Sequence, residues 1–152
     1  MPSVTVRYPA NGTDQETLLE LRFPARADRL KLMRGPVHGA ARMCGLSDTA
    51  AQDVVLAVDE ACQNIILHAY RGRDDGEIVM TLAHRGPGLF VQLRDFGART
   101  DPAQIRHRAL DDIKPGKLGS FFMRTIMDRV EFFSVPSGGN LLHMFKTKDE
   151  PE

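Results

Sequence analysis

The sequence Glu60-Ala-Cys-Gln-Asn64-Ile-Ile-Leu-His68-Ala-Tyr70 lies near the middle of this 152-residue chain. Its polar side chains Glu60, Asn64 and His68 recur at four-residue spacing, which places them on one face of a helix. The apolar residues between them fall on the other side. The stretch therefore predicts an amphipathic helix that presents three polar groups on the face away from the core.

This helix is predicted to cover about residues 48–70, beginning after the N-cap Ser47 and ending at Arg71-Gly72. The side predicted to face the sheet contains Ala51, Val55, Val58, Cys62, Ile65, Ile66 and Ala69. The opposite side contains Asp53, Glu60, Asn64 and His68, with Ala57 among them and Leu56 and Leu67 at its edges. A solvated outer face would explain such a stripe. However, Asn is unfavourable inside a helix, so its presence there calls for another explanation. A carboxylate and an amide oxygen one turn apart can converge on a hydrated Mg²⁺ or on one water.

The other segments predict the order strand, helix, helix, hairpin, loop, helix, hairpin. Predicted strands cover 16–23, 77–83, 88–94, 129–135 and 140–147, and the other predicted helices cover about 28–43 and 117–128. Hairpins require antiparallel pairing, and helices in this order cover one face of the sheet. The sequence thus predicts an α+β fold, a two-layer α/β sandwich whose mixed, mostly antiparallel sheet carries about three helices.

Several local details accompany this prediction. Asp28 is expected to cap the first helix, and Gly35-Pro36 to kink or interrupt it. Leu19, Leu21 and Phe23 are expected to share one face of the first strand.

The length predicts a single domain over residues 1–152, with a core of about 16–147. A short alternating piece suggests an N-terminal arm or edge strand over 1–15, and a polar segment rich in turn residues suggests a lid over 98–116. Net charge is zero, which argues against a dedicated nucleic-acid binder. No apolar run is long enough for a membrane span and no secretory signal is present, so we expect a cytoplasmic protein. Cys44 and Cys62 lack metal-ligand spacing and are expected to be buried free thiols.

Two further clusters follow the central helix. Asp95 and Gly97 end a predicted strand, where a carboxylate can accept a hydrogen bond from an exocyclic amine and a glycine admits a flat ring. Gly116-Lys117-Leu118-Gly119 opens the last helix, and a glycine-rich turn at a helix N-terminus can hold phosphate. Taken alone, either cluster is better explained as an ordinary turn or helix cap than as a binding site.

Together, the three clusters resemble the N, G1 and G2 boxes of the Bergerat ATP-binding fold of histidine-kinase-like (GHKL) ATPases. More narrowly, residues 60–70 are similar to the N box of anti-sigma factor serine/threonine kinases. Asp95-Phe-Gly97-Ala-Arg-Thr-Asp101-Pro102 resembles their G1 box, and Gly116-Lys-Leu-Gly119-Ser-Phe-Phe-Met their G2 box. The resemblance covers about residues 16–147. Many superfamily members have glycine where this chain has Arg99 and Lys117.

The resemblance implies ATP and Mg²⁺ as cofactors and gives each residue a role. Asn64 would hold Mg²⁺, Glu60 would be the general base toward a protein hydroxyl, and Asp95 would read adenine. Gly97, Gly116 and Gly119 would shape the pocket and its lid. Lys117 and Leu118 belong to the same nucleotide-binding turn, and His68 is expected to be structural or to support the site indirectly.

The resemblance also implies a function. The chain would be an ATP-binding anti-sigma factor that phosphorylates a STAS-type antagonist and sequesters a sigma factor, and it would form a homodimer without binding nucleic acid or membrane. The alternative is an ATP-binding partner-switch module with weak or no kinase activity. A histidine-kinase catalytic fragment is disfavoured, because no helix with a phosphoacceptor histidine precedes the domain.

Overall fold

A computed structural model describes residues 15–99 and 119–149, with side chains from Met123 onward in the second range. The strands are β1 Gln15–Pro24, β2 Glu77–Arg85, β3 Gly88–Asp95, β4 Arg129–Ser134 and β5 Asn140–Thr147. The helices are α1 Leu30–Met43, α2 Asp48–Asn64 and α3 Gly119–Ile126, with a 3₁₀ turn at Ala27–Arg29 and a π turn at Ile65–Ala69. Among these residues, no helix is long and apolar enough to cross a lipid bilayer.

The described strands form one sheet in the order β1-β2-β3-β5-β4. A mixed, mostly antiparallel sheet was expected. Every pairing between the described strands is antiparallel. β5 lies beside β3, and β4 turns back at the edge. The predicted two-layer α+β sandwich is confirmed. The pairing of β3 with β5 places the ends of two distant segments, Asp95 and Asn140, opposite each other.

The helices cover one face of the sheet, and α2 packs between α1 and α3. The sheet contributes alternating buried residues to this core: Ile78, Met80, Leu82, Leu89, Val91, Leu93, Leu142 and Met144. Because α2 is flanked on both sides, its buried surface is wider than a single stripe. Ala57, which the helical wheel placed on the polar side, is completely buried, whereas Val55 and Ile66 are only partly buried.

The caps of α2 agree with the sequence. The Ser47 hydroxyl oxygen accepts a hydrogen bond from the Ala50 N–H at 3.1 Å. Arg71 and Gly72 both have positive φ, at 54° and 77°, which ends the helical segment. Cys44 and Cys62 are buried free thiols, as predicted.

Three local predictions were wrong. Asp28 lies in the 3₁₀ turn and pairs with Arg29, so it does not cap α1. The predicted interruption at Gly35-Pro36 is absent: α1 continues to Met43 because its buried apolar side packs on the core and outweighs one lost hydrogen bond. Leu19 is 39% exposed, because a bulge between Thr17 and Leu19 brings Leu18 against the core instead.

Candidate functional site

The end of α2 changes from α-helical to π-helical geometry directly after Asn64. The Tyr70 N–H bonds to the Ile65 carbonyl at 3.1 Å, a span of five residues instead of four. A wheel with constant α-helical spacing therefore does not apply to His68, which lies inside the π turn. Such turns occur frequently at functional sites, and this one separates the stripe of Glu60 and Asn64 from His68.

Asp95 is the buried acid at the end of β3, with only 2% of its surface exposed. Its Oδ1 accepts hydrogen bonds from the Gly97 N–H at 3.0 Å and from the Asn140 Nδ2 at 2.9 Å. Burial raises the pKa of Asp95, while these hydrogen bonds and the Arg94 charge act in the opposite direction. The carboxylate is thus held in one orientation by neighbouring donors.

Two neighbouring residues fix the position of Asp95: Asn140 on the adjoining strand β5, and Arg94, which precedes Asp95 on β3. The Asn140 Nδ2 also donates to the Ala98 carbonyl at 2.8 Å, so one amide holds both ends of the turn after β3. The buried Arg94 guanidinium donates to the carbonyls of Asp95 at 2.7 Å and Gly138 at 2.8 Å. Both tethers restrict how far the Asp95 turn can move.

A cavity between α2, α3 and the sheet is lined by both Asn64 and Asp95, two polar residues that were predicted from the sequence to belong to the site. Its lining consists of Ala61, Asn64, Ile65, Asp95, Met123, Phe132, Phe133, Asn140, Leu141 and Leu142. Asn64 therefore faces the same space as Asp95, across mostly apolar walls. Such a cavity, with a few convergent polar groups, is typical of a small-molecule site.

Glu60 lies one helical turn before Asn64 and is half-buried. Burial raises its pKa, and the neighbouring Asp59 carboxylate raises that pKa further. Asp59 is itself 8% exposed and is held by the Arg34 Nη2 at 3.3 Å and by the Gln63 Nε2 at 3.1 Å. A carboxylate with a raised pKa is a stronger proton acceptor near neutral pH.

The structure brings together only part of the predicted site. Asn64 and Asp95 line one cavity, whereas Glu60 and His68 are not among its lining residues. Gly97 packs against the π turn, and Gly119 is the first residue of α3. Gly116, Lys117 and Leu118 lie outside the described residues, as do residues 1–14 of the predicted arm and most of the predicted lid.

Sequence reasoning missed Asn140, which contacts Asp95 directly. An asparagine after two glycines is typical of a turn, and nothing local marks it as a partner of a residue 45 positions earlier. It also missed the burial of Asp59, which depends on Arg34 from α1. Only the pairing of strands and helices reveals either contact.

The residues present suit a magnesium ion that is held mainly by a nucleotide. Within residues 15–99 and 119–149, no group of three or more His, Cys, Asp or Glu side chains could hold a metal alone. Mg²⁺ commonly takes one or two protein oxygens and completes its shell with phosphate oxygens and water. The Asn64 amide oxygen, in the lining of a mostly apolar cavity, fits that pattern.

Replacing Gly97 by alanine is expected to destabilise the protein by about 1–3 kcal/mol, because the added Cβ cannot be accommodated. It would lie within 2.6 Å of the Ala69 carbonyl carbon and 2.9 Å of the Ala69 Cβ, so backbone would have to move. Urea unfolding measures the effect. In the matched control Gly39→Ala, on α1, nothing lies within 4 Å of the added Cβ, and stability should rise by about 0.5–1 kcal/mol. Equal stability of the Gly97→Ala and wild-type proteins would contradict the packing.

The chain belongs to the histidine kinase-like ATPase domain family, whose model matches residues 23–146. Within that family, the chain is similar to proteins named serine-protein kinase RsbW. The one from Bacillus pumilus (strain SAFR-032) is 31% identical, over 75% of this chain and 76% of the relative. That of Listeria monocytogenes serotype 4a (strain HCC23) is 32% identical, over 76% and 78%. That of Bacillus cereus (strain AH187) is 26% identical, over 74% and 75%. Family and relatives together support ATP use and protein serine kinase activity.

Proposed function

We propose that this chain is an ATP-binding anti-sigma factor with serine/threonine protein kinase activity. It phosphorylates a STAS-type antagonist and sequesters a sigma factor. The observation that carries this proposal is the shared cavity, which is lined by both Asn64 and the buried Asp95. The names of the relatives supply the kinase class.

In this proposal, different residues bind the adenine and the magnesium-bound phosphates of the nucleotide. Asp95, an acceptor held by Gly97 and Asn140, receives the exocyclic amine of adenine. Asn64 supplies one oxygen to Mg²⁺, and the ion neutralises phosphate charge when bound. The apolar side chains of Met123 and Phe132 exclude water from the space between them.

Glu60 takes the proton of the acceptor hydroxyl. It lies one turn from Asn64 on the same helix, so a serine beside the phosphates would also lie beside this carboxylate. Phosphoryl transfer depends mostly on positioning and charge neutralisation, so a base, a metal ligand and an adenine reader form a sufficient set.

The alternative is a partner-switch module that binds ATP with weak or no kinase activity. Arg99 and Lys117 stand where related ATPases often have glycine, which favours this alternative. Transfer of labelled phosphate from ATP to a protein captured from the source cell separates the two. Phosphoserine on a captured STAS-type protein supports the kinase, and stable capture without label supports the switch module. The same capture, with sizing of the purified chain, tests the sigma-factor partner and the homodimer.

Magnesium-dependent ATP binding is the direct test of the proposal. Isothermal titration should show saturable binding of ATP that weakens at least tenfold when Mg²⁺ is removed. Asn64→Ala should weaken binding of Mg·ATP about tenfold and lose most of that magnesium dependence, since the proposed magnesium ligand is gone. The matched control Gln52→Ala, an exposed amide on the same helix, should bind as wild type. Absence of saturation at millimolar nucleotide would overturn the proposal.

A further inference from the structure

Tyr70 joins three segments, two of which contribute the cavity residues Ile65 and Asp95. Its ring is 4% exposed, and its hydroxyl oxygen accepts a hydrogen bond from the Phe96 N–H at 2.8 Å. The same hydroxyl donates to the Glu77 carbonyl at the start of β2. One phenol therefore ties the residue after Asp95 to the end of the helical segment that carries Asn64.

The surrounding backbone is fitted closely to this arrangement. The Ala98 N–H donates to the Ala69 carbonyl at 2.7 Å, which gives the Asp95 turn a second bond to the π turn. Gly76 has no room for a Cβ, because it would overlap the Tyr70 ring. The contact between the π turn and the turn after Asp95 thus depends on the exact position of the Tyr70 ring. Burial of the ring alone would not maintain it.

We propose that Tyr70 is a positioning residue of the nucleotide site, whose hydroxyl holds the Asp95–Gly97 turn at a fixed place relative to Asn64. This inference rests on the proposed function. The π turn begins at Ile65, next to Asn64, and ends at Tyr70, so the hydroxyl controls the relation between the metal ligand and the adenine reader. Burial raises the pKa of Tyr70, which keeps its proton available for the Glu77 carbonyl.

The consequence concerns base discrimination more than overall affinity. Asp95 distinguishes adenine from guanine by accepting from an exocyclic amine, and guanine presents an oxygen at that position. If the Asp95 turn loses its bond to Tyr70, the carboxylate samples more positions. Binding of ATP then weakens, while binding of GTP, which never used this contact, does not.

The test compares Tyr70→Phe with the control Thr81→Val, which removes a hydroxyl from the sheet face away from the helices. Titration with Mg·ATP and Mg·GTP gives the two affinities. We expect Tyr70→Phe to weaken ATP binding about five- to tenfold, as one hydrogen bond is worth, and to leave GTP binding within twofold. The ratio of the two affinities should be unchanged in Thr81→Val.

A merely structural role for Tyr70 would lower the unfolding temperature and leave the ATP-to-GTP ratio unchanged, and that result would overturn the inference. Gly76→Ala provides a second route, because its Cβ displaces the ring while the hydroxyl remains, and it should lower the same ratio. Amide exchange at Phe96 should accelerate at least tenfold in Tyr70→Phe, and unchanged exchange would also count against the inference. If wild type binds no ATP, the proposed function itself has failed, which is a distinct result.

Discussion

Glu60→Gln is expected to lower the rate of phosphoryl transfer by about a hundredfold or more, while ATP affinity stays within about twofold of wild type. The substitution preserves the shape of the side chain and removes only its ability to accept a proton, and a positioned general base contributes about 10²–10⁴-fold. Glu60 does not line the cavity between Asn64 and Asp95, so the nucleotide contacts persist. Single-turnover transfer to the protein substrate measures the rate, and isothermal titration measures the affinity.

The pH profile makes this prediction more specific. Burial and the Asp59 charge raise the pKa of Glu60 above its ordinary value of 4.5. A base works when deprotonated, so the wild-type rate should fall on the acid side at a higher pH than an ordinary glutamate would give. This acid limb should disappear in Glu60→Gln.

Asp53→Asn is the matched control for Glu60, since it removes an exposed carboxylate from the same helix. Its transfer rate and pH profile should equal those of wild type. If Glu60→Gln transfers phosphate at the wild-type rate, another group is the base. If it loses ATP binding as well, Glu60 has a role in holding the nucleotide.

Asp95→Asn is expected to weaken ATP binding about a hundredfold, equivalent to about 2.7 kcal/mol. The amide keeps one oxygen for the Gly97 and Asn140 donors, and it presents N–H groups where the wild-type carboxylate presents an oxygen. The adenine amine would then meet a donor, and a buried site built for one hydrogen-bonding pattern rejects the opposite one strongly. Titration with Mg·ATP measures the loss, and Mg·GTP provides the comparison.

The same substitution should not lower stability at neutral pH. Because burial raises the folded-state pKa of Asp95, the folded protein holds this proton more tightly than the unfolded chain. This tighter proton binding stabilises the folded protein below the unfolded-state pKa of 3.8, and the stabilisation is lost as pH rises through the folded-state pKa. A neutral asparagine avoids the loss, so urea unfolding at pH 7 should give Asp95→Asn at least wild-type stability.

Asp75→Asn, an exposed acid in the loop before β2, is the control for charge removal. It should change neither ATP affinity nor stability by more than a few tenths of a kcal/mol. Wild-type ATP affinity in Asp95→Asn would show that Asp95 does not read the base. A marked loss of stability would show that its hydrogen bonds outweigh its burial.

Much of the fold was predictable because its signals are local. The alternating sequences of β2 and β3, the Ser47 cap and the glycine-containing turns each depend on a few neighbouring residues. The predictions that failed concern places where distant elements intervene. Ala57 is buried because α1 and α3 flank α2, and Leu19 is displaced by a bulge that pairing with β2 sets.

The two polar ends of the candidate site, Asn64 on the helix and Asp95 at the end of a strand, could be predicted from the sequence. Helical spacing and the strand-to-glycine transition are properties of short segments, so they can be recognised without a structure. The contacts of Asn140 with Asp95, and of the Tyr70 hydroxyl with the turn beyond it, are visible only in the folded protein. These contacts join residues 26 and 45 positions apart, and they follow from strand register and helix packing, which no local pattern encodes.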